Sequence, residues 1–207
     1  MLGRSEVRRS WAVTAAAVVA LGLLVSGCAS SSEQLAEQWI DGEDTGFISG
    51  DGSIESIPVS QRGEAVTYSG PATDGETREW GEYLGEVVVV NFWYAGCPPC
   101  RAEAPDLVAV ANAYANQGVR FLGVNTRDDA AQAQMFEQEF AVPYPSLLDT
   151  QNAAAVQRAF AGSVPLNAVP TTLVLDREGR VAHRILGQLT DASILETMIN
   201  ETLAEAG

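Results

Sequence analysis

Three cysteines, one histidine and no lysine bound the chemistry open to this chain of 207 residues. Two of the cysteines stand in Cys97-Pro98-Pro99-Cys100. Two intervening residues let the sulfurs close a small ring within one helical turn. Such a pair can cycle between dithiol and disulfide, can form a static disulfide, or can supply half of a zinc site. A tetrahedral zinc site needs four ligands, and with Cys28 expected to carry a lipid only the single His183 remains beyond the pair as a Cys or His donor, which disfavours zinc. A static disulfide over so short a loop would restrict the unfolded chain little. The context favours redox chemistry. An apolar run ends just before Cys97 and an alanine-rich stretch follows Cys100, so the pair sits where a strand passes into a helix. Unpaired N–H groups and a partial positive charge at a helix start stabilise a thiolate. On this reading Cys97, nearer the helix start and solvent, attacks a partner disulfide, and the deeper Cys100 resolves the mixed disulfide. Pro98 and Pro99 stiffen the turn at positions where a missing N–H is tolerated.

Other chemistries are narrowed by composition. Without lysine there is no lysine Schiff base. With one histidine there is no multi-histidine metal centre. The net charge is −15, which disfavours general binding to a phosphate backbone. Hydrophobic residues make up 46% of the chain, enough for a core and too many for a wholly disordered protein.

The elements that must position the pair can be read from the pattern. Residues 86–93 (EVVVVNFW) form a continuous β-branched run, as in a central strand buried on both faces. Short edge strands are expected at 66–68 and 76–79, with turns at Ser69-Gly70-Pro71 and Asp74-Gly75. Helices are expected over 101–117 (stopped by Gly118), 129–140 and 152–160. Strands are expected over 119–125, 145–149, 171–176 and 180–186, the last two joined at Arg177-Glu178-Gly179. Thr190 is positioned to cap a last helix that turns Ile194, Leu195, Met198, Ile199 and Leu203 to one side. Pro105 is expected to kink the first helix. The sum is an α/β fold with a central mixed sheet flanked by helices.

Upstream, Arg4, Arg8 and Arg9 precede an apolar stretch over 11–25. It is short of the roughly 20 residues that span a bilayer, and suits a signal peptide. It ends Leu24-Val25-Ser26-Gly27-Cys28, which resembles a bacterial lipobox. The expected organisation is a signal peptide at 1–27, a lipidated Cys28 with an acidic tether over 28–50, and a globular domain over 51–207. A lipid on Cys28 would hold the domain at the outer face of the bacterial cell membrane.

The run from Asn91 to Pro105 (NFWYAGCPPCRAEAP) closely resembles the active-site stretch of TlpA/ResA-like thioredoxin-fold proteins. The likeness continues through Gly123-Val124-Asn125, Val169-Pro170-Thr171-Thr172 and the turn at 176–179. It implies a thioredoxin-like fold with an N-terminal strand extension and a helical insert near 128–160. It also implies an extracytoplasmic thiol-disulfide oxidoreductase that needs no cofactor and no metal. Pro170 is then the cis-proline facing the cysteines, with the Val169 backbone free to pair with a substrate peptide. Glu103 lies one helical turn past Cys100 and matches a functional glutamate of the family; from spacing alone it is equally a solvated helix acid. Asn91 takes the place of a buried aspartate in thioredoxin, and Gly96 stands where relatives often carry a bulky residue. The implied partners are protein disulfides, apocytochrome c among them, and a membrane electron donor of the CcdA type. An oxidant that introduces disulfides would use the same cysteines. A peroxiredoxin would carry Thr or Ser where Tyr94 stands. A Sco-type Cu(I) carrier, with His183 as third ligand, would have three residues between its cysteines. Trp93 and His183 are read as packing residues and Arg101 as an exposed arginine.

Overall fold

A computed structural model describes residues 54–165 and 168–205. The signal peptide, Cys28 and the tether lie outside the described residues. Six strands form one sheet in the order β1-β8-β7-β4-β5-β6. At its centre β4 (Val87–Trp93) is buried at every position. It runs parallel to β5 (Val119–Asn125), which runs parallel to β6 (Ser146–Leu148). On the other side it is antiparallel to β7 (Thr171–Leu175), and β8 (Val181–Leu186) and β1 (Ile54–Ser56) continue antiparallel to the edge. A separate pair, β2 (Ser69–Pro71) and β3 (Thr77–Glu79), bridges to β6 through Ala72 and Leu147.

Alternation along β4 divides the core. Val88, Val90 and Phe92 belong to one cluster with Cys97, Cys100 and Leu122; Val87 and Val89 belong to the other, with Leu107, Val110, Leu195 and Ile199. The second cluster lies under α1 (Pro98–Tyr114) and α4 (Ala192–Ala204). The insert contributes α2 (Ala130–Phe140) and the short α3 (Ala155–Ala159).

Several boundaries differ from the sequence reading. The expected strand at 66–68 is displaced to Ser69–Pro71, the segment read as a turn. Tyr68 instead buries its ring against Trp80 and Phe160, and its carbonyl accepts the Trp80 N–H at 3.0 Å. The first helix begins earlier, at Pro98, and ends at Tyr114; Pro105 lies inside it without ending it. The helix expected from 152 starts only at Ala155, because the buried Asp149 carboxylate accepts the N–H groups of Val156 and Gln157. The last helix is capped by Asp191 rather than Thr190: Asp191 Oδ1 accepts the Ser193 N–H at 2.9 Å.

Candidate functional site

The site begins where β4 ends. Three bonds set the loop after Trp93. The Trp93 carbonyl accepts the Thr126 N–H at 3.0 Å, the buried Asp128 carboxylate accepts the Ala95 N–H at 2.6 Å, and the Tyr94 carbonyl accepts the Cys97 N–H at 3.1 Å. Asp128 is itself held by Asn125, whose side-chain amide donates to it at 2.7 Å. Cys97 thus arrives at the N-cap of α1. The next two residues are prolines and donate nothing. The first available N–H is that of Cys100, and it points at Cys97 Sγ at 3.2 Å. A helix start leaves such donors unpaired, and here a sulfur takes the place of the usual capping oxygen. The two sulfurs are bonded at 2.04 Å, so the site is in its disulfide state.

The expectation that Cys97 is the more exposed cysteine does not hold in this state. Cys97 is 0% exposed and Cys100 2%. Their flanks differ instead. Cys97 lies between the exposed Gly96 and Pro98, whereas Cys100 follows the buried Pro99. The ring of Tyr94 lies beside Gly96, 3.4 Å from where a Cβ would stand, and the Arg127 guanidinium sits 4.3 Å over that ring.

Glu103 is not a solvated acid: it is 0% exposed. Oε1 accepts from Asn91 Nδ2 at 2.9 Å and Oε2 from the Leu189 N–H at 2.7 Å. Asn91 Nδ2 also donates to Thr172 Oγ1 at 3.1 Å, its neighbour directly across the β4–β7 pair. Burial pushes the Glu103 carboxyl up to about 8, Asp106 adds to the rise, and the two hydrogen bonds oppose it. A carboxyl poised there, one turn from Cys100, can take and return a proton near neutral pH.

The Val169–Pro170 peptide bond is cis. Thr171 pairs with Phe92, so Pro170 falls one position further, at the end of β4 from which the Cys97 loop leaves. The Pro170 carbonyl accepts the Gly187 N–H at 2.9 Å. Among the described residues neither backbone group of Val169 is hydrogen-bonded. Val169 packs in the same cluster as both cysteines.

The other singled-out residues take structural places. Trp93 packs against Phe136 at a tilt, with ring centroids 4.3 Å apart, and donates to Ser146 Oγ at 3.2 Å. Arg101 pairs with Glu139 and lies over Phe140 at 5.0 Å. His183 accepts from or donates to Ser56 at 2.9 Å and is level with Val174, itself paired to Val89, well before the end of β4. It does not converge with the cysteines. Sequence reasoning missed Asp128, Asn125, Thr172 and Leu189. The Asn-x-x-Asp spacing that starts at the last residue of β5 is a local turn signal for the first pair; the other two are set by the fold alone.

The Redoxin family model matches residues 58–199. The chain belongs to the Redoxin family. Among curated Redoxin relatives, the thiol:disulfide interchange protein HelX of Rhodobacter capsulatus is 35% identical over 68% of this chain and 72% of its own. The thiol-disulfide oxidoreductase ResA of Bacillus subtilis is 26% identical over 68% of this chain and 75% of its own. Among solved structures, a DsbF homologue from Corynebacterium diphtheriae is 29% identical, with a TM-score of 0.64 over 73% of this chain and 94% of that one. This Redoxin is a thiol-disulfide oxidoreductase of the ResA/HelX/DsbE type with a thioredoxin-like fold and a Cys97–Cys100 disulfide.

Proposed function

We propose that this Redoxin is a reductant of protein disulfides outside the cytoplasm, with apocytochrome c among its clients. The observation that carries the reading is the Cys100 N–H aimed at Cys97 Sγ at the start of α1, which favours a thiolate there. In the reduced protein the Cys97 thiolate attacks one sulfur of a client disulfide. A mixed disulfide forms and the other client sulfur leaves as a thiolate. Cys100 loses its proton to Glu103 and attacks Cys97 Sγ. The internal disulfide re-forms, and the client leaves with both sulfurs reduced. Two electrons pass to the client; Glu103 returns the Cys100 proton and water supplies the second, which completes the client thiols. The Val169 backbone would hold the client strand beside Cys97. A membrane thiol carrier of the CcdA type would return the two electrons.

The leader over 1–27 and the lipobox ending at Cys28 support attachment to the outer face of the cell membrane. There the surroundings are oxidising, so a reductant must be recharged, and a membrane donor meets that need.

The test is single-turnover reduction of an oxidised Cys-X-X-Cys-His peptide by the dithiothreitol-charged, desalted protein. One equivalent of peptide dithiol per protein is expected, with loss of the Cys97 and Cys100 thiols. No transfer, or transfer by Cys97→Ser at the same rate, would overturn the reading.

A further inference from the structure

Glu137 is a half-buried acid on α2 that takes no part in the proposed exchange. It follows Phe136, the residue packed against Trp93. Two hydroxyls meet its carboxylate: Thr73 Oγ1 donates to Oε1 at 2.9 Å, and the Ser146 hydroxyl donates as well. Both hydroxyls belong to buried residues, and each already accepts from an N–H. Thr73 Oγ1 accepts the Ser146 N–H at 3.0 Å, and Ser146 Oγ accepts Trp93 Nε1–H at 3.2 Å. An amide or indole N–H can only donate, so each hydroxyl keeps its own hydrogen for Glu137. The directions are therefore fixed. One chain runs from the Trp93 indole through Ser146, the other from the Ser146 backbone through Thr73, and both end on the same carboxylate.

The chain leads to the redox pair. Trp93 is the last residue of β4, and its carbonyl holds the start of the loop that carries Cys97. Its ring lies in one cluster with Cys97 and Cys100. Gly123 leaves the room in which the indole N–H reaches Ser146 Oγ, since a Cβ there would overlap that oxygen. The turn between β2 and β3 is held to the same place: the Ser146 carbonyl accepts the Thr73 N–H at 2.8 Å, and Gln134 Nε2 donates to the Thr73 carbonyl at 2.6 Å. We propose that ionised Glu137 is a positioning residue that holds the Cys97 loop through Ser146 and the Trp93 indole. The inference rests on Cys97 being the attacking thiol of the proposed reaction.

The groups that face Glu137 are few. Thr73 and Asp74 come from the turn between β2 and β3, and Ser146 from β6. The Tyr144 phenol, in the segment before β6, responds to Glu137 in turn. Burial lifts the Glu137 carboxyl above its ordinary value; the hydrogen bonds from Ser146 and Thr73 oppose the rise, and Asp74 adds to it. Protonation removes the charge that both hydroxyls serve, and hydrogen bonds to a charged acceptor are the stronger ones. The hold on the indole therefore weakens as Glu137 takes up a proton. Alanine at position 146 would cut the chain between the carboxylate and the ring, and leucine at position 137 would leave both hydroxyl hydrogens without their acceptor.

The test has two arms. The first is proton, carbon and nitrogen NMR of the labelled full chain with its disulfide intact, titrated upward from acid pH. No exchange reaction is needed, so this result is separable from the test of the proposed function. The Glu137 carboxyl carbon and the Trp93 indole N–H are expected to shift with one common midpoint. In Glu137→Gln the indole transition is expected to vanish. In Ser146→Ala the carboxyl is expected to titrate while the indole stays flat. The second arm is alkylation of Cys97 by iodoacetamide in the dithiothreitol-charged, desalted protein, mapped by mass. Its rate is expected to fall at least about threefold in Ser146→Ala and in Glu137→Leu, because the loop that presents Cys97 to the Cys100 N–H is no longer held. An indole signal that stays flat through the Glu137 transition of the parent chain would overturn the proposal, whether or not the variants fold. So would an indole that still follows the carboxyl in Ser146→Ala, or alkylation that is unchanged or faster in both variants.

Discussion

Glu103 Oε2 accepts the Leu189 N–H at 2.7 Å, tying the active-site helix to the segment that leads into α4. Its carboxyl therefore belongs to the packing of two elements as well as to the redox pair. Because burial raises it from its ordinary value of 4.5 to about 8, the unfolded chain ionises first. Between those values the folded state holds one more proton, so stability is full below about 4.5 and falls as pH rises to about 8. The slope of that contribution is about 1.4 kcal/mol per pH unit. Urea unfolding of the oxidised protein at several pH values should show this decline, and Glu103→Gln should lack it. Parallel curves for the two proteins would mean that the carboxyl is not raised by folding.

The same substitution bears on catalysis. Glutamine fits the site but cannot take the Cys100 proton. Stopped-flow oxidation of Glu103→Gln by a peptide disulfide should be about 10²-fold slower in the resolving step, and its pH profile should lose the inflection near 8. An unchanged profile would confine Glu103 to packing.

The two cysteines should separate cleanly. Cys97→Ser is expected to abolish exchange, and Cys100→Ser to accumulate mixed disulfides that survive acid quenching and denaturing gels. Trapping by Cys97→Ser instead would reverse the assigned order of attack.

Much of this site is legible in the sequence, for particular reasons. The run at 86–93 and the Cys97–Cys100 spacing are local signals, and the strand-to-helix context follows from them. The i, i+3 relation places Glu103 one helical turn from Cys100, but spacing does not say whether the acid is solvated. Its burial depends on α4 closing over α1. Thr172 and Leu189 join the site only through strand register and a backbone N–H, neither of which carries a residue signature. The segment Ser69–Pro71 reads as a turn because glycine and proline signal turns, whereas pairing with Thr77–Glu79 overrides that preference.

Gly123 on β5 shows a tertiary demand of the same kind. A Cβ there would overlap Ser146 Oγ and lie 2.8 Å from Trp93 Nε1, the two ends of a hydrogen bond beneath the site. Gly123→Ala should destabilise the fold by about 1–3 kcal/mol and change the Trp93 environment. Equal denaturant midpoints with the parent would contradict the close approach.

At the far end of the sheet, Arg62 donates to Asp176 at 2.9 Å and to both oxygens of Glu205 at 2.6 and 2.5 Å. Asp176 keeps Arg180 and two backbone N–H groups when Arg62 is lost. Arg62→Leu should therefore cost about 1.5–3 kcal/mol at pH 7, the range for hydrogen bonds to charged groups. Arg62 holds the Glu205 carboxyl below its usual range. That contribution is present above about 4.5 and is lost as pH falls. The gap between the two proteins in thermal unfolding should narrow on acidification, and a constant gap would remove the ion pair from the account.

The central claim, a reductive Cys97–Cys100 couple, is tested most directly by its reduction potential. The full chain would be equilibrated in graded thiol buffers and its free thiols alkylated and counted by mass. Known couples run from about −270 mV for thioredoxin to about −120 mV for a strong oxidant. One reversible two-electron transition is expected at or below about −250 mV, on the reducing side of that range. A potential near −120 mV, or no reversible transition, would contradict it.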